Sequence, residues 1–239
     1  MVDSIQANAS SQEALSARFE ATAHNLANAN TGGYKRIMCE FISGGAAGTG
    51  AATGSDAISV KAVHDFSQGA LAETGRSLDL GLQGKGFFVL ETPKGQLYTR
   101  HGVFTTNGEG QLTDLIGRVV AGDSGPIVIP KNVAVSAIGV GSDGTVSAGK
   151  NVLGKVKVVE FEDPQVLTAV GQNAFEGPSN LAQAPKATVV RQGYQEASNV
   201  SVVDELVGLI TVSRMYEANL KTVQSRDERL KTLLGVAAG

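Results

Sequence analysis

Apolar residues near the end of the chain recur at alternating steps of four and three residues, which is the spacing of a heptad seam. The stretch from about Ser198 to Leu234 is therefore predicted to form one long amphipathic helix. Ser213 and Asp227 are the polar interruptions of the pattern. The apolar positions of this seam are Val202, Leu206, Leu209, Tyr216, Leu220, Val223, Leu230 and Leu234.

A shorter seam of the same kind lies near the start of the chain, at Leu15, Phe19, Ala23 and Leu26. The two terminal helices are expected to pack together as a discontinuous, coiled-coil-like helical domain. A C-terminal helix of about 35 residues would extend roughly 50 Å, whereas a small β domain has a radius of gyration of about 14 Å. Part of the apolar stripe is thus expected to contact other molecules, because exposed apolar patches mark interfaces.

The middle of the chain reads as short strands rich in β-formers, separated by turns such as Asn107-Gly108 and Asp143-Gly144. This pattern favours an α+β fold with a central, irregular antiparallel β domain. We expect an N-terminal helix and closing turn over 1–36, a Gly/Ala/Ser-rich linker over 37–57, the β domain over 58–196, and a C-terminal helix over 197–239. Ser198-Asn199 is the expected N-cap of that last helix.

Composition and charge argue against several classes of function, beginning with nucleic-acid binding. The 239 residues carry a formal net charge of −3, which does not favour nucleic-acid binding. No apolar run reaches the length that spans a bilayer, and the N-terminus does not read as a cleaved secretory leader. Cys39 is the only cysteine, so an intramolecular disulfide is excluded and an idle thiol is expected.

Fragments that imitate active-site motifs lack the context that chemistry requires. Gly139–Gly144 matches a dinucleotide-binding pattern by letter, but the following Thr145-Val146-Ser147 reads as a strand instead of a helix. A phosphate-loop spacing ends at Lys150-Asn151, where Asn replaces the hydroxyl residue that would hold Mg²⁺. The three histidines lack metal-ligand spacing. We therefore expect no enzyme activity, no catalytic or metal site, no cofactor and no small-molecule substrate.

The run Asn25–Arg36 closes the N-terminal helix with an unusual sequence. Asn and Gly at a helix end explain its last residues, because both tolerate positive φ. That explanation does not require Asn25 and Asn28 one turn earlier, or Tyr34-Lys35 at a fixed distance. The run resembles the signature of the bacterial flagellar rod and hook protein family.

Two further segments carry the same resemblance. Leu78–Val89 with Tyr98–Phe104 is similar to the central β region of that family, and Ser198–Asp227 is similar to its C-terminal helix. Gly125-Pro126-Ile127 and Phe161–Pro164 resemble the proximal-rod, or F-type, branch. A distal-rod or hook-type subunit is the first alternative. A secreted β domain on a helical stalk, acting as a binding module or an enzyme, is the second.

The resemblance implies a structural subunit of the flagellar basal-body rod that polymerises with copies of itself and other rod proteins and transmits torque from motor to hook. It also implies passage through the flagellar type III export apparatus without a cleaved signal peptide, and no insertion into the membrane. Gly32 or Gly33 is expected to have φ > 0. The predicted assembly interface is Leu15, Phe19, Leu26, Val202, Leu206, Leu209, Tyr216, Leu220, Val223 and Leu230, and the predicted signature turn is Asn25, Asn28, Thr31, Gly33, Tyr34 and Lys35.

Overall fold

A computed structural model describes residues 2–43 and 58–237. Within these residues two long helices accompany short strands that pair antiparallel throughout, which confirms the predicted α+β class. The helices are α1 (Val2–Ala27) and α2 (Val202–Ala237). The strands are β1 (Ile37–Ser43), β2 (Ile58–His64), β3 (Leu71–Glu73), β4 (Leu80–Gln83), β5 (Phe87–Thr92), β6 (Gly95–Thr99), β7 (Phe104–Thr106), β8 (Leu112–Asp114), β9 (Val119–Val120), β10 (Ile138–Val140), β11 (Thr145–Ala148), β12 (Asn151–Lys155), β13 (Val158–Val159), β14 (Thr168–Gly171), β15 (Ala174–Glu176), β16 (Val189–Gln192) and β17 (Tyr194–Glu196).

The described residues form two compact units, and each is built from separated stretches of chain. The helical unit comprises residues 2–27, 37–43, 58–65 and 201–237. The β unit comprises residues 28–36 and 66–200. The chain therefore passes from one unit to the other after Ala27, after Arg36, after Asp65 and after Val200.

In the helical unit, α1 and α2 pack antiparallel. Gly208 lies opposite Thr22, so close that an added Cβ would be 3.6 Å from the threonine methyl group. Asn219 Nδ2 donates a hydrogen bond of 3.4 Å to Gln12 Oε1. From Gly208 to Asn219 along α2, the contacting residue on α1 goes back from Thr22 to Gln12, so the two helices run antiparallel. Val212 is among the few fully buried apolar side chains of this unit.

The β1–β2 hairpin differs from the expected domain boundaries. Strand β1 pairs with β2 from Ile37 opposite His64 to Ser43 opposite Ile58, so the expected linker is wrong over its first seven residues. The β-formers Ile37, Phe41 and Ile42 favour a strand here, but the small residues that follow hid this signal. Residues 44–57 lie outside the described residues. The hairpin belongs to the helical unit, where the Cys39 thiol donates to the Ala17 carbonyl at 3.6 Å.

The predicted N-cap of the C-terminal helix is also wrong. Helix α2 begins at Val202, and the Ser201 hydroxyl accepts from the Asp204 backbone N–H at 3.5 Å. Ser201 thus occupies the capping position. Asn199 bonds instead to groups inside the β unit.

The β unit is built around a sheet of eight strands in the order β14-β15-β6-β5-β9-β8-β7, with β13 pairing on β5. Side chains of β5 alternate between two cores, because successive residues of a strand point to opposite faces. Phe88 and Leu90 join one buried cluster, whereas Phe87 and Val89 join the other. A central strand covered on both faces explains the continuous apolar run at this point of the sequence.

The remaining strands of the β unit form three smaller sheets. Strands β10, β11 and β12 form a three-stranded sheet, β16 pairs with β4, and β17 pairs with β3. The last two pairings bring the end of the β unit beside its beginning. Residues 194–200 therefore lie beside the strand that opens the unit, which positions the polar groups described below.

Candidate assembly surface and signature turn

The last turn of α1 is tied to the hairpin by one asparagine. Asn25 is 1% exposed. Its Nδ2 donates to the Ile37 carbonyl at 2.8 Å, and its Oδ1 accepts from the Ile37 N–H at 2.8 Å. The amide thus satisfies both backbone groups of Ile37, as a neighbouring strand would. This pairing explains an asparagine that helix termination alone does not require.

The chain turns immediately after α1 ends. The Thr31 N–H donates to the Asn28 carbonyl at 3.0 Å, and the Thr31 hydroxyl donates to Asn28 Oδ1 at 3.3 Å. Gly33 has φ +68°, which confirms the expectation that one of the two glycines adopts positive φ. The Gly33 N–H then donates to the Glu196 carbonyl at 2.7 Å. Short polar side chains and glycine therefore build a turn that is hydrogen-bonded to the end of β17 within the β unit.

Neither glycine of the turn has room for a side chain. A Cβ at Gly33 would lie 2.5 Å from the backbone nitrogen of His101 and 2.7 Å from the Arg100 carbonyl carbon. A Cβ at Gly32 would clash with the side-chain amide of Gln195. The turn is consequently restricted at Gly33 by both backbone angle and close packing.

Lys35, the basic residue of the signature, is fully buried in the β unit. Its ammonium group donates to Glu196 Oε1 at 2.7 Å and to the Ser67 carbonyl at 2.6 Å. The Glu196 side chain is 0% exposed, and its Oε1 also accepts from the Gly69 N–H at 2.9 Å. A buried charge of this kind is tolerated because it is paired and hydrogen-bonded. These contacts of Lys35 therefore lie inside the β unit.

Arg100 is the second cation beside Glu196. Its Nε lies 3.5 Å from Glu196 Oε2, its Nη2 donates to the Gly84 carbonyl at 2.5 Å, and its guanidinium carbon lies 5.3 Å from the centre of the Phe87 ring. Burial lowers the pKa of Arg100, although the carboxylates of Glu196 and Glu160 oppose this shift. Sequence reasoning did not select Glu196 or Arg100. The available signal was their position in the sequence. Arg100 lies inside a segment that resembles the family, and Glu196 lies just before another.

The residues predicted to form the assembly interface lie on α1 and α2 with much of their apolar surface uncovered. Exposed members are Phe19, Val202, Leu206, Tyr216 and Leu220, and half-buried members are Leu15, Leu26, Leu209 and Val223. The side chain of Leu230 lies outside the described residues. Their role in assembly stays a prediction.

A groove runs between the two helices at the middle of this surface. It has a volume of about 380 Å³ and is lined by Ser16, Phe19 and Glu20 of α1 and by Val212, Ser213, Tyr216 and Glu217 of α2. Two predicted interface residues, Phe19 and Tyr216, thus face each other across it.

Sequence reasoning missed a second apolar row on α2. Val203, Val207 and Ile210 are more exposed than the seam residues that precede them in the chain, and Val203 is 69% exposed. Each directly follows a predicted seam residue, so the adjacent apolar pairs in the sequence were the available signal. The hairpin adds Phe41 and Ile42, which are both exposed. The helical unit therefore presents a wider apolar surface than one heptad seam.

The fragment Gly139–Gly144, which matches a dinucleotide-binding pattern by letter, lies in a strand and the turn that follows it, as its sequence context indicated. Gly139 is inside β10, Gly144 has φ +88° in the tight turn, and β11 begins at Thr145. No helix starts there to meet a phosphate. Among the described residues, no cluster of three or more His, Cys, Asp or Glu side chains could hold a metal ion. Within the same ranges, neither helix has an apolar stretch that could cross a bilayer.

A compact β unit combined with helices that leave rows of apolar side chains uncovered is typical of a structural subunit that assembles with others. Three family models match the chain. They describe flagella basal body rod protein at residues 5–35, the D1 domain of flagellar hook protein FlgE/F/G at residues 81–148, and the C-terminal region of flagellar basal body rod FlgEFG protein at residues 191–236.

Curated relatives match along nearly the whole chain. Flagellar basal-body rod protein FlgF of Caulobacter vibrioides is 32% identical over 95% of both chains, and FlgF of Mesorhizobium japonicum is 33% identical over 98% of both. FlgG of Bacillus subtilis is 29% identical over 99% of both. The chain belongs to the flagellar basal-body rod protein family. Membership of this family of structural proteins confirms the prediction that the chain is not an enzyme.

Proposed function

We propose that the chain is a proximal-rod subunit of the flagellar basal body, and that it polymerises through its terminal helices. The carrying observation is the uncovered apolar surface of the helical unit, on which Leu206, Val207 and Ile210 are exposed within two turns of α2. Burying apolar surface yields about 25 cal/mol per Å². Packing of neighbouring subunits against this surface is therefore favourable.

Assignment to the proximal rod is supported by the way the relatives align. The alignment with FlgG of Bacillus subtilis extends over 266 positions although the chain has 239 residues, so that FlgG contains segments which the chain lacks. The alignments with the two FlgF proteins extend over 233 and 245 positions. A distal-rod subunit is the alternative, since the identity to FlgG proteins reaches 32%.

The predicted interface residues on α1 and α2 are proposed to build an inner, coiled-coil-like layer of the rod. In this arrangement copies of the chain and other rod proteins share one helical layer, and the β unit makes lateral contacts. Torque is then carried by many interdigitated apolar contacts instead of a single bond. The stiffness of such a layer follows from the close packing of side chains.

We further propose that the chain reaches the periplasm-spanning rod through the flagellar type III export apparatus and retains its N-terminal sequence. The support is the family membership, with the rod-protein model matching residues 5–35. Mass spectrometry of the chain in purified basal bodies is expected to recover peptides from the first ten residues. Cleavage of these residues in the assembled rod would contradict the proposal.

The assembly surface is tested by a pair of matched leucines. Leu206 on α2 is 44% exposed, and Leu181 in the β unit is 45% exposed. Leu206→Asp is expected to abolish incorporation into basal bodies and motility, while export and the fold of the β unit persist. Leu181→Asp places the same charge at equal exposure and is the control. Normal rods built from Leu206→Asp would exclude this face of α2 as the assembly surface.

A further inference from the structure

The chain crosses between the two units at four points, and three of them are flanked by residues that contact one another inside the β unit. Lys35 and Arg36 precede the crossing into β1, Ser67 follows the return after Asp65, and Asn199 precedes the crossing into α2. These residues lie far apart in sequence. Lys35 and Glu196, for example, are separated by 161 positions.

The Ser67 carbonyl joins two of these segments. It accepts from Lys35 Nζ at 2.6 Å and from Asn199 Nδ2 at 3.2 Å. The same Asn199 amide accepts, through Oδ1, from the Arg36 N–H at 2.8 Å. The three segments are therefore linked in a closed ring of hydrogen bonds, in which each segment bonds to the other two.

Glu196 adds a second ring through the same segments. Its carboxylate accepts from Lys35 Nζ and from the Gly69 N–H, while its backbone carbonyl accepts from the Gly33 N–H. Both members of the ion pair have side chains that are at most 1% exposed. Separating 28–36 from 195–200 would leave buried charges without their partners, and separating 66–70 would remove a hydrogen bond from each of those charges. Both losses are costly in a low-dielectric interior.

We propose that Lys35, Ser67, Glu196 and Asn199 form a junction clasp, a conformational device that makes three separate segments of the β unit open and close as one. The segments are 28–36, 66–70 and 195–200. In this proposal, Lys35 of the signature turn holds the three segments together. This role does not depend on the rod function, because every group in the clasp lies in one unit of one chain.

Hydrogen exchange of the full-length chain, followed by mass spectrometry, tests the clasp. Asn199→Ala removes hydrogen bonds to two segments and buries no unpaired charge, whereas Glu196→Gln removes the carboxylate that faces two buried cations. Each variant is expected to exchange at least tenfold faster in all three segments, including the two that carry no substitution. If Glu196→Gln fails to fold, Asn199→Ala decides the question.

The control is Val146→Ala, which truncates a buried core side chain of β11 outside the clasp. It is expected to accelerate exchange in the core around β11 without opening the three segments together. Faster exchange confined to the segment that carries each clasp substitution would overturn the proposal. Opening of the three segments by Val146→Ala to the same degree would also overturn it, since the effect would then be general destabilisation.

Discussion

Gly33→Ala is the sharpest perturbation of the signature turn. At φ +68° an L-residue is strained, and the left-handed conformation costs about 1–2 kcal/mol. The new Cβ would also lie 2.5 Å from the His101 backbone nitrogen. The contacted atom belongs to the backbone and cannot move aside as the end of a flexible side chain could. Overpacking of this kind typically costs about 1–3 kcal/mol. We therefore expect a total loss of about 2–5 kcal/mol in the stability of the β unit.

Gly75 provides a matched control within the same unit. Its φ is +70°, but no atom lies within 4 Å of the position that a Cβ would take. Gly75→Ala should therefore carry the conformational cost alone, reduced by about 0.4–1 kcal/mol because alanine restricts the unfolded chain. The difference between the two variants isolates the steric contact at about 1–3 kcal/mol.

The assay is urea unfolding of the full-length chain, followed by circular dichroism because the sequence contains no tryptophan. A shift of the midpoint at constant slope reports a change in stability. Equal midpoints for Gly33→Ala and Gly75→Ala would refute the claim that the turn is packed tightly against the backbone of Arg100 and His101. Gly33→Val should be worse than Gly33→Ala, and it should prevent incorporation into rods.

Burial lowers the pKa of His101, so the unfolded chain binds more protons as the pH falls through about 6.5. Stability is then present above that pH and is lost below it, and urea midpoints at about pH 7.5 and about pH 5.5 should differ less in His101→Gln than in wild type. Lys35→Met should cost about 3–5 kcal/mol in urea unfolding because it breaks a buried pair. Lys155→Met, which breaks an exposed pair of 3.9 Å, should cost less than about 1 kcal/mol. Limited proteolysis of the isolated chain should cut α1 and α2 before it cuts between Phe66 and Val200, because the helices bury few side chains.

Periodicity predicted both helices and the α+β class, because an apolar spacing sustained over several turns is a strong signal of an amphipathic helix. The strand Ile37–Ser43 escaped detection because its partner Ile58–His64 lies beyond a stretch of small residues. Pairing across such a gap is a long-range event that local pattern cannot report. The N-cap was misplaced because Ser198, Asn199 and Ser201 are all competent caps, and tertiary contacts engage Asn199 elsewhere.

The signature turn was predictable in outline but not in its partners. Asn and Gly at a helix end indicate positive φ from local chemistry alone. Burial of Lys35 could not be inferred, because a lysine after a helix is ordinarily solvated. Its partner Glu196 lies 161 positions away, at the end of β17. Only the fold brings such groups together.

Protection of Val203 in the assembled rod tests the central claim most directly. The side chain is 69% exposed in the single chain. With Cys39 replaced by Ser, the only thiol of a Val203→Cys variant is the introduced one. Maleimide labelling is measured on the isolated chain and on purified basal bodies, with denatured basal bodies as the reference for full reactivity. Assembly through the apolar face of α2 predicts rapid labelling of the isolated chain and strong protection in the rod. Equal reactivity in both states would contradict it.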